Sequence, residues 1–324
     1  MLGCGVDDCT VWRTKAVVAV LIPCYNEAAT VAKVVGDFRR ALPDAKLYVF
    51  DNNSTDDTAD IARQAGAHVR VVLDKGKGNV VRRMFADIYA DAYVLVDGDG
   101  TYDATAAPRL IGMMFANGLD MVVGTRTSNE REAYRWGHRF GNRLLTQCVA
   151  RIFGHTFSDM LSGYRVFSRR FVKSFPAHAT GFETETELTV HALELRMPVA
   201  EVQTIYGSRP DGSESKLNTW RDGSRILLTI IKLLKSEKPL LFFSAISCAC
   251  AMLSILLFIP IFDNYVRTGL VPRLPTVLLS TSLMLLGAIL LVCGIVLDTV
   301  THGRAEAKRL AYLAFPAPSI KEYS

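Results

Sequence analysis

Short apolar runs alternate with helical patterns along the first two thirds of the chain. Val17–Ile22 and Leu47–Phe50 have the length of buried strands, and apolar residues between Val31 and Leu42 repeat with helical spacing. Strands that are apolar on both faces and alternate with helices predict an α/β fold, a mostly parallel sheet flanked by helices. Further apolar runs follow at Val69–Leu73, Tyr93–Val96, Met121–Val123 and Pro198–Ile205.

Two long apolar runs lie in the last third of the chain. Neither Leu240–Ile259 nor Leu274–Leu297 contains a charged residue. As a helix, each could cross about 30 Å of hydrocarbon. A pair of buried core helices is the alternative, but core helices are rarely apolar all round over such a length. The pattern therefore predicts two transmembrane helices.

A helical pattern with one broad apolar face runs from Arg225 to Lys235, just before the first span. It predicts a helix lying in the lipid headgroup layer, and a helix packed on the sheet is the alternative. The predicted organisation is an N-terminal extension (1–15), the α/β domain (16–220), an interfacial amphipathic helix (221–238), a two-helix transmembrane anchor (239–300) and a tail (301–324).

Composition narrows the class of protein. The chain has 324 residues, 50% of them hydrophobic, and a mean hydropathy of +0.20, which excludes a disordered or collagen-like chain and a small disulfide scaffold. Its seven cysteines form no CxxC pair, so neither a zinc site nor a disulfide framework is expected. The net charge of +5 is too small to indicate nucleic acid as a partner, but suits anionic lipid and phosphate.

Basic residues predict the orientation of the anchor. Met1–Lys15 lacks the apolar segment of a signal peptide. Lysines and arginines flank the outer ends of both spans, which places the α/β domain and the C-terminus in the cytoplasm, at the inner membrane. These flanking residues are Lys232, Lys235, Lys238, Arg304, Lys308 and Arg309.

Three aspartates come directly after predicted strands. Asp51 ends the second apolar run, and Asp97 and Asp99 follow the fourth, separated by Gly98. Ligands of such sheets bind at the carboxyl ends of the strands. Two neighbouring carboxylates suit Mg²⁺ or Mn²⁺, which completes its shell with phosphate oxygens, although solvated loop residues give the same pattern. The sequence thus suggests a nucleoside diphosphate held through a metal.

A series of motifs in fixed order resembles the family 2 glycosyltransferases, which have the GT-A fold, and most closely their polyprenyl-phosphate hexosyltransferases such as dolichyl-phosphate mannose synthase and bacterial polyprenyl-phosphate glucosyltransferase. The resemblance covers roughly residues 16–235. The motifs are Ile22–Glu27, Phe50–Thr58, Lys75–Asn79, Asp97–Gly100, Asp159–Arg165, Gly181–Glu185 and Arg209–Leu217.

The resemblance implies a set of donor-binding residues. Asp97 and Asp99 would meet the metal and the diphosphate, with Asp103 as a candidate third metal ligand because Thr101 stands where members often have glutamine. One carboxylate of the family's base-binding loop is missing here, at Asn52. The nucleotide-sugar-binding residues would be Pro23, Tyr25, Glu27, Asp51, Asn53, Lys77, Asp97, Gly98, Asp99, Arg209 and Lys216.

The resemblance also implies an acceptor site. Arg126 and Arg139 would receive the lipid phosphate. The alternatives to Arg139 in this role are the nearby Arg131, Arg135 and Arg143. Asp159 and Glu183 would join Asp97 and Asp99 as catalytic residues by positioning sugar hydroxyls; helix caps or salt bridges are the alternative.

The implied function is inverting transfer of one hexose from a nucleotide-diphosphate sugar, UDP rather than GDP, to a polyprenyl phosphate. Because that acceptor is already anionic, no strong general base is needed. A synthase of growing polysaccharide is one alternative, although its Gln-x-x-Arg-Trp motif fails at Glu132. Transfer to another lipid acceptor and a non-catalytic nucleotide-sugar-binding module are the others. Small residues in the first span would permit a homo-oligomer.

Overall fold

The computed structural model describes residues 16–127, 149, 157–178, 183–207, 228, 231–232, 234–271 and 273–319. The described residues within Met1–Gly223 and Ala307–Ser324 form one compact unit, and those within Ser224–Glu306 form a second.

The first unit is built on a mixed sheet of seven strands in the described part of the chain, in the order β3-β2-β1-β4-β6-β5-β7. Neighbouring strands are parallel except at β6, which is antiparallel to both β4 and β5. The strands are β1 Val18–Cys24, β2 Lys46–Asp51, β3 His68–Val71, β4 Ala92–Leu95, β5 Met121–Thr127, β6 Arg165–Ser168 and β7 Val199–Ile205.

Helices follow most of the strands. Within the first unit they are α1 Val31–Ala41, α2 Thr58–Gln64, α3 Lys77–Asp87, α4 Ala107–Ala116, α5 Arg169–Ser174 and α6 Thr184–Glu194, with a short 3₁₀ helix at Ala104–Ala106. The two long apolar helices are α7 Pro239–Thr268 and α8 Leu274–Leu313, whose last residues belong to the first unit.

Hydrophobic periodicity explains how α1 and β1 form the centre of the core. Val31, Val34, Val35 and Phe38 lie on one face of α1 and are all buried. Residues 18–22 of β1 are buried on both faces of the sheet, as expected for a strand covered by helices on both sides. This rigid centre fixes where the β1 and β4 strand ends lie.

The predicted strands are all present, with boundaries shifted by a few residues. The predicted mostly parallel α/β sheet is confirmed. The addition is β6, a strand of only four residues that contains an arginine. Because β6 is antiparallel to β4 and β5, it starts at the edge of the sheet where those two strands end, and the residues just before it lie at that edge.

The second unit contains most of two helices long and apolar enough to cross a membrane, by length and composition. They pack closely: a Cβ added at Gly287 would lie 3.2 Å from the Ser247 carbonyl oxygen. Ser254 Oγ donates to the carbonyl of Ser280 (2.8 Å), and Ser280 Oγ donates to the carbonyl of Ser254 (3.1 Å). Residues 228, 231–232 and 234–237 of the predicted interfacial helix are helical. Its position at a membrane surface stays a prediction.

Candidate functional site

Loops after β1 and β2 are tied together at the carboxyl edge of the sheet. Asn26 donates its backbone N–H to Ser54 Oγ (2.9 Å) and accepts the backbone N–H of Thr55 on its side chain (2.8 Å). Glu27 donates its backbone N–H to Thr58 Oγ1 (2.8 Å). Asn26 adopts a left-handed φ of 54° in this turn. These bonds fix the loop that carries the predicted residues Tyr25 and Glu27, directly after β1, in which the predicted residue Pro23 lies.

Asp51 lies at the end of β2 with its side chain buried. Its Oδ2 accepts the backbone N–H of Ser54 (3.2 Å), while its Oδ1 is buried without a hydrogen-bond partner among the described residues. A buried acceptor without a donor is costly. A nucleoside hydroxyl or base N–H would supply that donor. The next predicted residue, Asn53, is exposed and has a left-handed φ of 58°.

Asn52 joins the β2 end to the loop before α3. Its amide Nδ2 donates to the carbonyls of Val72 (3.1 Å) and Asp74 (2.7 Å), and its Oδ1 accepts the N–H of Gly76 (2.7 Å). The amide therefore donates and accepts at once, which a carboxylate cannot do. In the same loop, the Lys75 ammonium lies 5.1 Å from the centre of the Tyr25 ring.

The Asp97-Gly98-Asp99 turn is packed so tightly that neither Gly98 nor Gly163, which lies against Asp97, has room for a side chain. A Cβ at Gly98 would lie 2.5 Å from Cys24 Sγ, and a Cβ at Gly163 would lie 2.2 Å from Asp97 Oδ2. The Gly98 carbonyl accepts the Thr30 hydroxyl (2.6 Å). Asp99 is buried, and its Oδ1 accepts the Thr101 hydroxyl (2.6 Å).

Lys77, the first residue of α3, bridges two carboxylates. Its Nζ lies 2.5 Å from Asp97 Oδ1 and 2.5 Å from Glu185 Oε1. Burial alone would lower the pKa of Lys77, but the two carboxylates outweigh it and hold that pKa well above its usual value. Lys77 is therefore a permanent cation beside Asp97.

Arg126 and Asp159 form a forked ion pair. Arg126 Nε and Nη2 each lie 2.7 Å from an oxygen of Asp159. Burial raises the pKa of Asp159, but the hydrogen bonds and charge of Arg126 outweigh it and keep that pKa below its usual range. Glu201 on β7 accepts the backbone N–H of Asp159 (3.3 Å). Asp159 thus holds the Nε–Nη2 edge of the guanidinium in the bidentate geometry of a forked arginine–carboxylate pair and fixes its orientation.

Two tyrosines connect this pair to the aspartates. Arg126 lies 5.6 Å from the centre of the Tyr206 ring, and Tyr206 packs edge-on against Tyr102 (5.2 Å between ring centres). The Tyr102 hydroxyl accepts the N–H of Gly163 (2.9 Å), the residue against Asp97. Burial raises the pKa of Tyr102 well above its ordinary value, so the phenol stays neutral.

Arg165 supports the segment that carries Asp159 and Gly163. It is completely buried at the start of β6. Its guanidinium donates to the carbonyls of Ser162 (2.9 Å) and Met160 (2.5 Å) and to Thr189 Oγ1 (2.8 Å). One buried cation thus holds the loop before β6 through the carbonyls of Met160 and Ser162 and joins it to α6 through Thr189.

The carboxylates present fit a divalent cation in chemistry, since Asp97 and Asp99 offer hard oxygen ligands on a glycine turn. No group of three His, Cys, Asp or Glu side chains is close enough to hold a metal, within the residues described. Asp103 uses its carboxylate to cap the 3₁₀ helix, accepting the N–H and hydroxyl of Thr105 (2.9 and 2.7 Å). The structure gives no support to Asp103 as the third ligand, and that role stays a prediction.

The other predicted residues divide into two groups. Glu183 is exposed at the start of α6, whereas Glu185, which the sequence pattern does not single out, reaches Lys77. Arg139, Arg209 and Lys216 lie outside the described residues.

Comparison with known proteins identifies the family. The family model described as glycosyl transferase family 2 matches residues 19–175. Glycosyltransferase AglJ of Haloferax volcanii is 35% identical over 303 residues, covering 93% of this chain and 99% of AglJ. The chain is a family 2 glycosyltransferase.

Other similarities of this glycosyltransferase are more distant. A dolichyl-phosphate hexose transferase of Haloferax volcanii is 27% identical over 221 residues, covering 68% of this chain and 95% of that protein. A crystal structure of Mycobacterium tuberculosis glucosyl-3-phosphoglycerate synthase in complex with Mn²⁺, UDP-glucose and glycerol 3-phosphate aligns with a TM-score of 0.58 at 24% identity, over 72% of this chain and 85% of that one. This likeness confirms the GT-A fold.

Proposed function

We propose that this glycosyltransferase transfers one hexose from a nucleotide-diphosphate sugar to a polyprenyl phosphate at the cytoplasmic face of a membrane, with a uridine donor favoured over a guanosine donor. The observation that carries the proposal is the continuous wall from the Asp97/Asp99 turn through Tyr102 and Tyr206 to Arg126. One end of this wall suits the donor diphosphate, and the other presents a fixed guanidinium to an anionic acceptor.

Two further features support a lipid acceptor. The chain carries two helices long and apolar enough to cross a membrane, and basic residues flank their outer ends, as at a cytoplasmic face. A relative over 68% of this chain is named a dolichyl-phosphate hexose transferase. A membrane anchor keeps the enzyme where a polyprenyl chain resides.

In the proposed reaction, a phosphate oxygen of the acceptor forms a bond to the anomeric carbon of the sugar. The bond from that carbon to the diphosphate oxygen breaks, its electron pair leaves with the nucleoside diphosphate, and the configuration inverts. Arg126 holds the attacking phosphate, and Asp159 holds Arg126 in orientation. Asp51 and the loops around Tyr25 and Asn53 would bind the nucleoside.

Asp97 and Asp99 would hold Mg²⁺ or Mn²⁺. Such a cation neutralises charge that develops on the departing diphosphate. Lys77 supplies a fixed positive charge beside the same turn. A cation so placed stabilises the negative charge that develops on the departing diphosphate. Arg139, Arg209 and Lys216 complete the proposed phosphate contacts, and Glu183 would position a sugar hydroxyl.

The decisive experiment uses the purified full chain with polyprenyl phosphate, Mg²⁺ or Mn²⁺, and a panel of UDP- and GDP-hexoses. Mass spectrometry of the extracted lipid should show the mass of one added hexose. Asp97→Asn and Asp99→Asn should reduce the rate by at least about 100-fold, whereas the exposed control Asp44→Asn should retain it. A polymeric product, a sugar transferred only to water, or no turnover with any donor would each overturn the proposal.

The acceptor role of Arg126 has its own test. Arg126→Lys keeps the charge but loses the bidentate contact with Asp159 that orients it. The KM for polyprenyl phosphate should therefore rise about tenfold while the KM for the nucleotide sugar stays within about twofold. Equal increases in both KM values would assign Arg126 to general folding of the site instead.

A further inference from the structure

We infer that Glu185 is a positioning residue that holds Lys77 and thereby sets how strongly Asp97 binds a divalent cation. This inference rests on the proposed function, since it takes Asp97 as a ligand of that cation. Glu185 acts through Lys77 and touches neither donor nor acceptor in this scheme.

The three side chains form a nearly closed group. The exposed fractions are 12% for Lys77, 8% for Glu185 and 29% for Asp97. The ammonium uses one donor on each carboxylate, at 2.5 Å in both cases. Asp97 is the most exposed of the three, so a cation would reach the group at Asp97, whereas Glu185 contacts Lys77 from the buried side.

Charge explains why a second carboxylate is needed. One lysine and two carboxylates carry a net charge of −1. A divalent cation at Asp97 competes with the ammonium of Lys77 for the same carboxylate and repels it. A buried ammonium left without a counter-charge is strongly destabilising. Glu185 supplies that counter-charge and lets Asp97 turn from Lys77 to the cation.

Glu185 has room for this exchange. Its Oε2 is buried and has no hydrogen-bond partner within the described parts of the chain. If a cation takes Asp97 Oδ1, the Lys77 ammonium loses its hydrogen bond to that oxygen. The N–H group of Lys77 that is then unpaired can donate to Glu185 Oε2. The unused acceptor on Glu185 therefore matches the donor that cation binding sets free.

Glu187 has a different contact from Glu185. Glu187, on the same helix, accepts the backbone N–H of His178 (2.8 Å). Glu187→Gln makes the same chemical change two residues away and is the matched control.

The test measures Mn²⁺ binding to the full chain in detergent by the electron paramagnetic resonance signal of free Mn²⁺, without nucleotide and with UDP. Lys77→Met should tighten Mn²⁺ binding about tenfold because it removes the competing ammonium. Glu185→Gln should weaken it about tenfold because Lys77 then relies on Asp97 alone. Both changes fall within the usual range of coupling between neighbouring sites. Glu187→Gln should leave the Mn²⁺ affinity within about twofold.

A double variant separates positioning from simple charge. In the Lys77→Met background, Glu185→Gln should change the Mn²⁺ affinity by less than about twofold, because Glu185 has lost the group through which it acts. A tenfold effect that persists without Lys77, or an unchanged affinity of Glu185→Gln with Lys77 present, overturns the inference. If Glu185→Gln does not fold, Glu185→Asp replaces it, with an expected weakening of about threefold and the same criterion.

Failure of this inference can be distinguished from failure of the proposed function. If Asp97→Asn binds Mn²⁺ as tightly as the parent protein, the proposed cation site itself is wrong. If Asp97→Asn loses Mn²⁺ binding while Glu185→Gln does not alter it, only the role of Glu185 is wrong.

Discussion

Gly163 is the position where a single methyl group would disturb the site most directly. A Cβ built there lies 2.2 Å from Asp97 Oδ2 and 2.8 Å from Asp97 Cγ, whereas real Cβ atoms essentially never approach closer than 3.0 Å. Asp97 Oδ1 is already held by Lys77. The Gly163→Ala substitution must therefore push the carboxylate away or displace the backbone before β6.

The size of the effect follows from the required movement. To reach 3.0 Å from 2.2 Å, the carboxylate oxygen and the added methyl group must separate by at least 0.8 Å. A displacement of about 1 Å at a reacting centre can cost on the order of 100-fold in rate. We therefore expect Gly163→Ala to lower kcat by about 100-fold.

The assay follows the proposed transfer of hexose to polyprenyl phosphate, with kcat and the KM for each substrate measured separately. Gly36→Ala is the matched control, because the nearest atom to its added Cβ is the flexible end of Arg40 at 3.7 Å. It should keep full activity. The Tm of Gly163→Ala in detergent should fall by a few degrees at most, which shows that the protein remains folded.

Either of two results would refute this reasoning. A Gly163→Ala enzyme with kcat within threefold of the parent would mean that Asp97 is not fixed where the structure has it. A loss of activity matched by loss of the folded state would mean that Gly163 serves folding and not the position of Asp97.

Three further predictions concern stability and donor binding. Asn52→Asp replaces an amide that donates to two backbone carbonyls with a group that cannot donate, so the KM for the nucleotide sugar should rise about tenfold in steady-state assays, with kcat less affected. Tyr312→Phe removes the hydrogen bond to buried Asp120 (2.8 Å), so the free energy of unfolding should fall by about 1–2 kcal/mol, measured as a lower Tm; an unchanged Tm would contradict it. Burial and then the charge of Lys308 lower the pKa of His191 from 6.5 to about 3. The unfolded chain therefore takes up this proton first, and stability should fall as pH drops from about 6 to 4, by up to about 1.4 kcal/mol per pH unit. His191→Gln should flatten that part of the Tm-against-pH profile, and parallel profiles would contradict the assignment.

Much of the α/β framework follows from the sequence because β1, β2 and β4 are continuous apolar runs that end in polar residues. Such runs are buried on both faces, and burial dominates their local structure. The position of Asp51, Asp97 and Asp99 at one edge follows from the same rule.

The strand β6 does not follow from that rule. Its four residues begin with Arg165, and an arginine is ordinarily exposed. Arg165 is buried only because Ser162, Met160 and Thr189 accept its N–H groups. Two of those contacts come from the preceding loop and one from α6, so the strand cannot be recognised before the tertiary structure is known.

Glu185 and Asn52 show the same limit at the site. Residues two apart on a helix point about 200° apart, so only one of Glu183 and Glu185 can point toward Lys77, and the motif does not say which. At position 52, the sequence shows only a missing carboxylate. The value of the amide becomes visible when the two carbonyls and the N–H of the following loop are in place.

If α7 and α8 cross a membrane as proposed, the reciprocal serine bonds between them affect how they enter the bilayer. In hydrocarbon, a hydroxyl without a hydrogen-bond partner is unfavourable and promotes contact with other helices or with water. Ser254 and Ser280 form hydrogen bonds with each other. The two helices can therefore enter the lipid phase together with both hydroxyl groups already hydrogen-bonded. If one serine is replaced by alanine, the remaining hydroxyl keeps a backbone acceptor on the opposite helix, and the hairpin should tolerate the loss.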